Sequence, residues 1–182
     1  VLAQAGYVFE VMRADIDEKA IRHPDPSELT VRIASAKADA LLPRIGTPSL
    51  LITADQVVTW GDEIREKPVD EAHARHFLET VSERPLTMFS AVVVTDTARG
   101  RRTAGVDRAH VMMRALPQAL IADLIADGSA YRHAAGFPIQ DGRLQPFVHR
   151  VEGAMDSVIG LPLRLFRSLL DDVQLHAATE RP

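Results

Sequence analysis

The chain has 182 residues and a mass of 20.0 kDa, with 46% hydrophobic and 25% charged residues. This composition suits one globular domain or two small lobes, and it excludes a disordered tail, a collagen-like rod and a coiled coil. The net charge of −4 provides no basic field for a nucleic-acid backbone, so we expect no nucleic-acid partner. Because cysteine is absent, disulfides, thiolate zinc sites and cysteine nucleophiles are excluded.

Two further features concern the surroundings of the protein. No apolar run approaches the ~20 residues that span a bilayer, so we expect no membrane association. The absence of cysteine allows a reducing compartment, and we expect a cytoplasmic location.

The chain opens at Val1 without methionine, in a stretch that looks like the last turn of a helix stopped at Gly6. We therefore expect residues upstream of Val1.

Helix and strand signals alternate along the chain. In chain order they predict a strand over 8–11, a helix with its N-cap at Ser27 and a short apolar strand over 49–54 that leads into Asp55. Val57, Val58 and Trp60 continue this run to a Gly61-Asp62 turn. They continue with a helix capped by Asp70, strands over 86–95 and 103–113, a helix from Pro117 to Asp127-Gly128, a loop-rich stretch over 134–160 and a helix from Pro162. Interleaving without a long linker predicts a single α/β unit.

Asp55 is the residue that most strongly suggests chemistry. It follows the apolar run 49–54, and open α/β sheets place reactive groups at the carboxyl ends of their strands. Aspartate is also common in turns between strands, so its position alone supports a structural role about equally well.

Several other charged residues allow both a functional and a structural interpretation. The acidic residues Asp15, Asp17 and Glu18 would suit Mg²⁺, although isolated acidic clusters are usually solvated loops. Lys37 lies among alanines, and a lysine there more often takes a surface position, with its aliphatic stem packed along the helix. Lys67 precedes Pro68 in a stiffened turn and would either face a phosphate or be solvated.

Other patterns point away from familiar sites. His73 and His76 have the i, i+3 spacing of metal ligands, but no third ligand stands at a recognisable distance, which favours a solvated helix face. The sequence contains no Walker A loop and no GxGxxG, and Ser157 lacks a GxSxG context. These observations exclude the common phosphate-loop and nucleophile-elbow motifs.

Five strings in register resemble the Maf family of nucleoside triphosphate pyrophosphatases, also called septum-formation-inhibitor-like proteins. They run through nearly the whole chain, from about residue 2 to 173, and are Asp15-Ile16-Asp17-Glu18, Ala34-Ser35-Ala36-Lys37-Ala38, Ala54-Asp55-Gln56-Val57-Val58, Glu66-Lys67-Pro68 with Glu71-Ala72, and Arg150-Val151-Glu152-Gly153 leading to Val158-Ile159-Gly160-Leu161-Pro162. Each string is weak alone, whereas their common order is specific.

The resemblance implies a two-lobed α/β fold with a mixed, bent sheet and a central substrate cleft. It implies hydrolysis of a nucleoside triphosphate between the α and β phosphates, with Mg²⁺ or Mn²⁺ as cofactor. A homodimer is a further implication. It also implies that residues 1–182 are one Maf-like domain, whose initial strand and Ser-x-Ser-x-Arg-Arg loop would precede Val1.

The resemblance also assigns roles to individual residues. Asp55 falls on the catalytic aspartate, which also contacts the metal, and Glu18 falls on the acidic position associated with the metal or its waters. Lys37 and Lys67 fall on the lysines that face the phosphates. Gln140 falls near a segment that holds the substrate, with a register uncertain by one residue.

Two departures bear on the substrate and on activity. Gln56, which we expect to bind the substrate, stands where many members carry threonine. A glutamine there resembles the branch that acts on 7-methyl-GTP; dTTP or UTP is the other expectation. Asp156-Ser157 replaces an asparagine-containing stretch of many bacterial members. The expected activity is removal of non-standard or modified nucleotides as a house-cleaning enzyme. The alternative is a catalytically degenerate, nucleotide-binding regulator of cell division or septation.

Overall fold

The structure, a computed structural model that describes residues 1–175, alternates helices and strands as predicted. The helices are α1 (Pro26–Leu41), α2 (Glu71–Thr80), α3 (Gln118–Ala126), α4 (Met155–Ile159) and α5 (Leu163–Leu175). The strands are β1 (Leu50–Trp60), β2 (Glu63–Ile64), β3 (Leu86–Asp96), β4 (Arg101–Met113) and β5 (Val148–Glu152). Short 3₁₀ turns lie at Glu18–Ala20, Leu42–Arg44, Ala130–Arg132, Ala134–Gly136 and Gln145–Phe147. The α/β fold class is confirmed.

The strands form an open antiparallel sheet in the order β2-β1-β3-β4-β5. The predicted turn at Gly61 and Asp62 joins β1 to β2, where Thr59 pairs with Ile64. Gly61 has a φ of 61°, which suits the tight turn. The resemblance led us to expect a mixed sheet. Short connections join β1 to β2 and β3 to β4, which favours antiparallel pairing of these strands.

By its internal contacts the chain divides into two units. Unit 1 comprises Val1–Gln56, Ser90–Asp107 and the chain from Gly160 onward. Unit 2 comprises Val57–Phe89 and Arg108–Ile159. Over residues 1–175, no helix has both the length and the apolar character needed to cross a membrane.

Unit 1 is built in three layers around β3. Ala91 and Val93 face Ala34 and Ala38 of α1, and these four residues form one buried cluster. The alternate β3 residues, Val92 and Val94, pack instead with Phe166, Leu169 and Val173 of α5 in a second buried cluster. Because helices cover both faces, the strand segment is apolar at every position and not at every second one.

Unit 2 has one larger core. It combines buried residues of β3 and β4 with Leu78 of α2, Ile121 and Leu124 of α3, and Val158 of α4. The stretch 134–160, predicted as loop-rich, contributes β5 and α4 to this unit. The strand β5 was missed because its residues include the exposed His149 and Arg150, and its pairing to the edge of β4 is a tertiary effect.

Helix starts show how local chemistry sets the elements. The predicted cap at Asp70 is confirmed, since its carboxylate accepts a hydrogen bond from the His73 amide at 2.8 Å. The predicted cap at Ser27 is wrong. Asp25 caps α1 by accepting from the amides of Ser27 and Glu28 at 2.7 and 3.1 Å. Pro26 fits the first helical turn because it lacks the amide hydrogen that would have no partner there.

The strand predicted over residues 8–11 is also wrong. This segment has no regular secondary structure, and Val8 and Val11 are almost entirely exposed. Apolar residues favour a strand only when a sheet face buries them, and this segment belongs to no strand of the sheet.

We predict that Gly153→Ala destabilises the protein. Gly153 has a φ of 103°, and a Cβ there would lie 3.0 Å from the Ala109 Cα and from the Arg108 carbonyl oxygen. The added strain and overlap should lower the free energy of unfolding by about 2 kcal/mol or more. Urea denaturation measures this change.

Gly142→Ala is the matched control in the same unit. A Cβ at Gly142 meets no atom within 4 Å, so its stability should stay the same or rise by up to about 1 kcal/mol. Equal effects of the two substitutions would contradict the structural explanation.

Candidate active site

The central feature of unit 1 is the approach of α1 to β1. Ala34 and Ala38 are fully buried, and their small side chains let the helix lie close to the sheet. The Thr53 hydroxyl donates a hydrogen bond to the Ala34 carbonyl oxygen at 2.7 Å, which ties the two elements together. Asp55 lies two residues along β1 on the same face as Thr53, where Lys37 of α1 reaches it.

Lys37 contacts two carboxylates at once. Its Nζ lies 2.7 Å from Asp55 Oδ1 and 3.0 Å from Glu18 Oε1. It also donates to the Ala54 carbonyl oxygen at 3.5 Å. The exposed fractions of the side chains are 10% for Asp55, 18% for Lys37 and 52% for Glu18, so the pair with Asp55 is largely shielded from solvent. The structure thus brings together three of the residues that the sequence singled out.

The pKa of Asp55 follows from this environment. Burial raises the pKa of the carboxyl above its usual range, and the charge of Glu18 adds to that rise. The hydrogen bond and charge of Lys37 act in the opposite direction without cancelling it. Burial alone would lower the pKa of Lys37, but its hydrogen bonds and charge pairing with Asp55 and Glu18 raise it. Lys37 therefore stays protonated, and Asp55 is a stronger base than an exposed aspartate.

The structure distinguishes the members of the acidic loop. Glu18 begins a 3₁₀ turn over Glu18–Ala20, which directs its carboxylate to Lys37. Asp17 caps that turn by accepting from the Lys19 amide at 3.1 Å. Asp15 is exposed.

Asp55 does not follow a strand, as the sequence suggested, but lies in the middle of β1 (Leu50–Trp60). Aspartate is disfavoured within strands, so the apolar run appeared to end before it. The Lys37 ammonium offsets part of the cost of placing a carboxylate on a half-buried sheet face.

Gln56 lies on the opposite face of β1 from Asp55. Its amide nitrogen donates to the buried Ser90 hydroxyl at 2.9 Å, and its side chain lies against Gly160. Adjacent residues of a strand point to opposite faces, so Asp55 faces α1 whereas Gln56 faces the α5 side. Its predicted contact with substrate is untested.

Lys67 and Gln140 belong to unit 2, and both are exposed. Lys67 follows β2. The pKa of His133 is lowered mainly by the burial of its own ring, and the charge of Lys67 lowers it further. Gln140 lies in a turn closed by a 2.8 Å hydrogen bond from the Asp141 amide to the Pro138 carbonyl oxygen. Their substrate contacts stay predictions.

Arg65 is a structural residue of this unit that sequence reasoning missed. Its guanidinium is fully buried and lies over the rings of Trp60 and Phe77, at 4.1 and 4.6 Å from their centroids. It donates to the Phe77 carbonyl oxygen at 3.2 Å, to the Thr80 hydroxyl at 2.9 Å and to Glu63 at 3.2 Å. The flanking aromatic residues at positions 60 and 77 were the available signal.

Arg65 also fixes the backbone that leads to Lys67. The Ala135 amide donates to the carbonyl oxygens of Arg65 and Glu66 at 3.0 and 3.1 Å. Pro68 is buried and lies beside Gly136. The segment carrying Lys67 is therefore held at both sides of the lysine.

The donor set decides whether a divalent cation suits the site. Asp55 and Glu18 supply two carboxylates around one position. Across residues 1–175, no group of three or more histidine, aspartate or glutamate side chains could hold a metal. His73 packs edge-on against Phe77, with ring centroids 4.2 Å apart. Mg²⁺ is commonly held by one or two carboxylates with waters and substrate phosphates. The two carboxylates fit a cation of that kind.

The fold and this site define an α/β protein in which a helix lysine joins two carboxylates at a sheet. The chain matches the family model described as Maf-like protein over residues 1–173, and it belongs to this family. This confirms the family resemblance seen in the sequence.

Named relatives align over nearly the whole chain. A 7-methyl-GTP pyrophosphatase of Dictyostelium discoideum is 36% identical over 180 residues, which cover 95% of this chain and 90% of the relative. A nucleoside triphosphate pyrophosphatase of Synechococcus sp. (strain JA-3-3Ab) is 32% identical, with coverages of 95% and 87%. A dTTP/UTP pyrophosphatase of Geotalea uraniireducens (strain Rf4) is 32% identical, with coverages of 90% and 83%.

We predict that the pKa of Asp55 in the metal-free protein lies above the ordinary aspartate value of about 3.9. Glu18→Gln should lower it because a neighbouring negative charge is removed, whereas Lys37→Met should raise it further because a positive charge and a hydrogen bond are lost. Carbon-13 NMR titration of the Asp55 carboxyl measures all three values. Shifts of the opposite sign would show that these contacts do not form in solution.

Proposed function

We propose that this protein hydrolyses nucleoside triphosphates to the monophosphate and pyrophosphate. The observation that carries the proposal is the shielded Asp55–Lys37 pair with Glu18 on the same ammonium. The names of the relatives support it, since all three described above are pyrophosphatases of nucleotides. They do not favour the alternative of a non-catalytic regulator of septation.

The geometry suggests how Asp55 would act. A water molecule beside its carboxylate would lose a proton to it while the water oxygen bonds to the α-phosphorus of the nucleotide. The bond from that phosphorus to the bridging oxygen breaks, and pyrophosphate leaves. The raised pKa of Asp55 makes its carboxylate a stronger base for this proton transfer than an exposed aspartate.

The lysines and the metal would supply charge. The Lys37 ammonium lies beside Asp55 and would neutralise negative charge on the phosphate chain, and we assign the same role to Lys67. We propose that Glu18 and Asp55 hold Mg²⁺ or Mn²⁺, which when bound would supply further positive charge to the phosphate oxygens.

Several finer assignments are also proposals. The relatives' names suggest 7-methyl-GTP, dTTP and UTP as the first substrates to test, with Gln56 and Gln140 as substrate-binding residues. Four further expectations stay predictions: that residues 1–182 form a single Maf-like domain, that the protein is a homodimer, that it is cytoplasmic and that it does not bind nucleic acid.

Asp55→Asn should lower kcat/KM for pyrophosphate release by at least about 100-fold, because the amide cannot accept the proton. The measurement is pyrophosphate release from a panel of 7-methyl-GTP, dTTP, UTP and the common nucleotides with Mg²⁺. Circular dichroism should show an unchanged fold, since the substitution is nearly isosteric.

Asp15→Asn is the control, because it removes an exposed carboxylate from the same unit. It should keep wild-type kinetics. Turnover by Asp55→Asn at the wild-type rate would refute the catalytic role, and no release from any nucleotide by the wild-type protein would refute the proposed function.

Lys67→Ala should lower kcat/KM by about tenfold or more, mainly through kcat, because the lysine neutralises charge that develops on the leaving pyrophosphate. Lys19→Ala is the matched control, an exposed lysine of unit 1. A change confined to KM would instead assign Lys67 to ground-state binding. An unchanged kcat/KM would remove it from the site.

A further inference from the structure

One ammonium stands between the two carboxylates proposed to hold a metal. Lys37 Nζ is within 2.7 Å of Asp55 and 3.0 Å of Glu18, so it is in direct contact with an oxygen of each. The two carboxylates carry two negative charges, and Lys37 neutralises one of them. A lysine in this position is a monovalent cation bound by the same oxygens that would bind a divalent one.

This arrangement opposes the entry of a metal ion. A divalent cation that approached Asp55 and Glu18 would meet the positive charge of Lys37 in a region where solvent screens poorly, since Asp55 and Lys37 are 10% and 18% exposed. One oxygen of each carboxylate already contacts the ammonium. A divalent cation that used these two oxygens would displace Lys37 from them.

We propose that Lys37 is the resident counter-ion of Asp55 and Glu18 in the nucleotide-free protein and keeps divalent cations from them. The phosphate chain of a nucleotide would then draw the ammonium away, so that the metal binds together with the nucleotide and not before it. This inference rests on the proposed function for the identity of the ligand that moves Lys37.

The structure provides room for this movement. Lys37 lines a pocket of about 210 Å³ in unit 1, together with Met12, Leu41 and Thr53 among others. A lysine carries its charge on a flexible four-carbon stem, so the ammonium can change partners without a change of the backbone. A triphosphate offers more negative charge than the two carboxylates and competes for the ammonium.

The test is a titration of the nucleotide-free protein with Mn²⁺. The electron paramagnetic resonance signal of free Mn²⁺ measures how much of the ion is bound. Lys37→Met should bind Mn²⁺ about tenfold or more tightly than the wild type, because the competing charge is gone. Lys37→Arg keeps the charge and should bind as weakly as the wild type. Equal affinity of wild type and Lys37→Met would overturn the proposal, and Lys37→Gln replaces Lys37→Met if the latter does not fold.

Two further variants show where the metal binds. Lys19→Met removes a lysine next to Glu18 in sequence and should change the Mn²⁺ affinity by less than about twofold. A tenfold gain in this variant would show that the loss of any nearby positive charge strengthens Mn²⁺ binding, and it would overturn the specific role of Lys37. Adding Glu18→Gln to Lys37→Met should abolish the gain. A gain that persisted in this double variant would place the extra metal elsewhere and overturn the proposal.

Pyrophosphate release by the same wild-type preparation separates the two hypotheses. If the wild type turns over a nucleotide and Lys37→Met gains no Mn²⁺ affinity, the counter-ion role is wrong and the proposed function stands. If the wild type turns over nothing and Lys37→Met gains affinity at Glu18, the counter-ion role stands and the proposed function is wrong.

Discussion

The contact between Lys37 and Asp55 is the constraint on which the site depends. A carboxylate on a sheet face that is 10% exposed is costly unless an opposite charge reaches it, and Lys37 supplies that charge from α1 at 2.7 Å. The helix can deliver it only because Ala34 and Ala38 leave no gap between α1 and the sheet. The packing of the two alanines therefore helps to favour the ionised form of Asp55, because it lets Lys37 reach the carboxylate.

The same contact leaves the site with unbalanced charge. One ammonium against two carboxylates gives a net charge of −1 around Lys37, which by itself repels a polyphosphate. A phosphate chain would therefore need additional positive charge beside Lys37 to approach these carboxylates, and a bound metal ion would supply it. The negative net charge of the chain is thus compatible with a phosphate substrate, because binding depends on local and not on total charge.

The features that the sequence predicted correctly depend on short stretches of neighbouring residues. The strings around Lys37, Asp55 and Glu18 identified the three residues that converge, and the turn at Gly61 and the cap at Asp70 follow from the chemistry of single residues. The rest depends on tertiary contacts. Strand β5 forms because β4 offers it an edge, the burial of Arg65 depends on rings from two other elements, and residues 8–11 lack a sheet face.

Strand register connects the fold to the chemistry. Asp55 and Gln56 are neighbours in β1, yet one faces Lys37 and the other faces Ser90. A shift of β1 by one residue would exchange them and place an amide where the proposed base lies. The apolar neighbours resist this shift, since Leu51 packs with the α1 cluster and Ile52 with the α5 cluster, and Thr53 bonds to α1. The stability of both faces of unit 1 is therefore what selects aspartate, and not glutamine, for contact with the lysine.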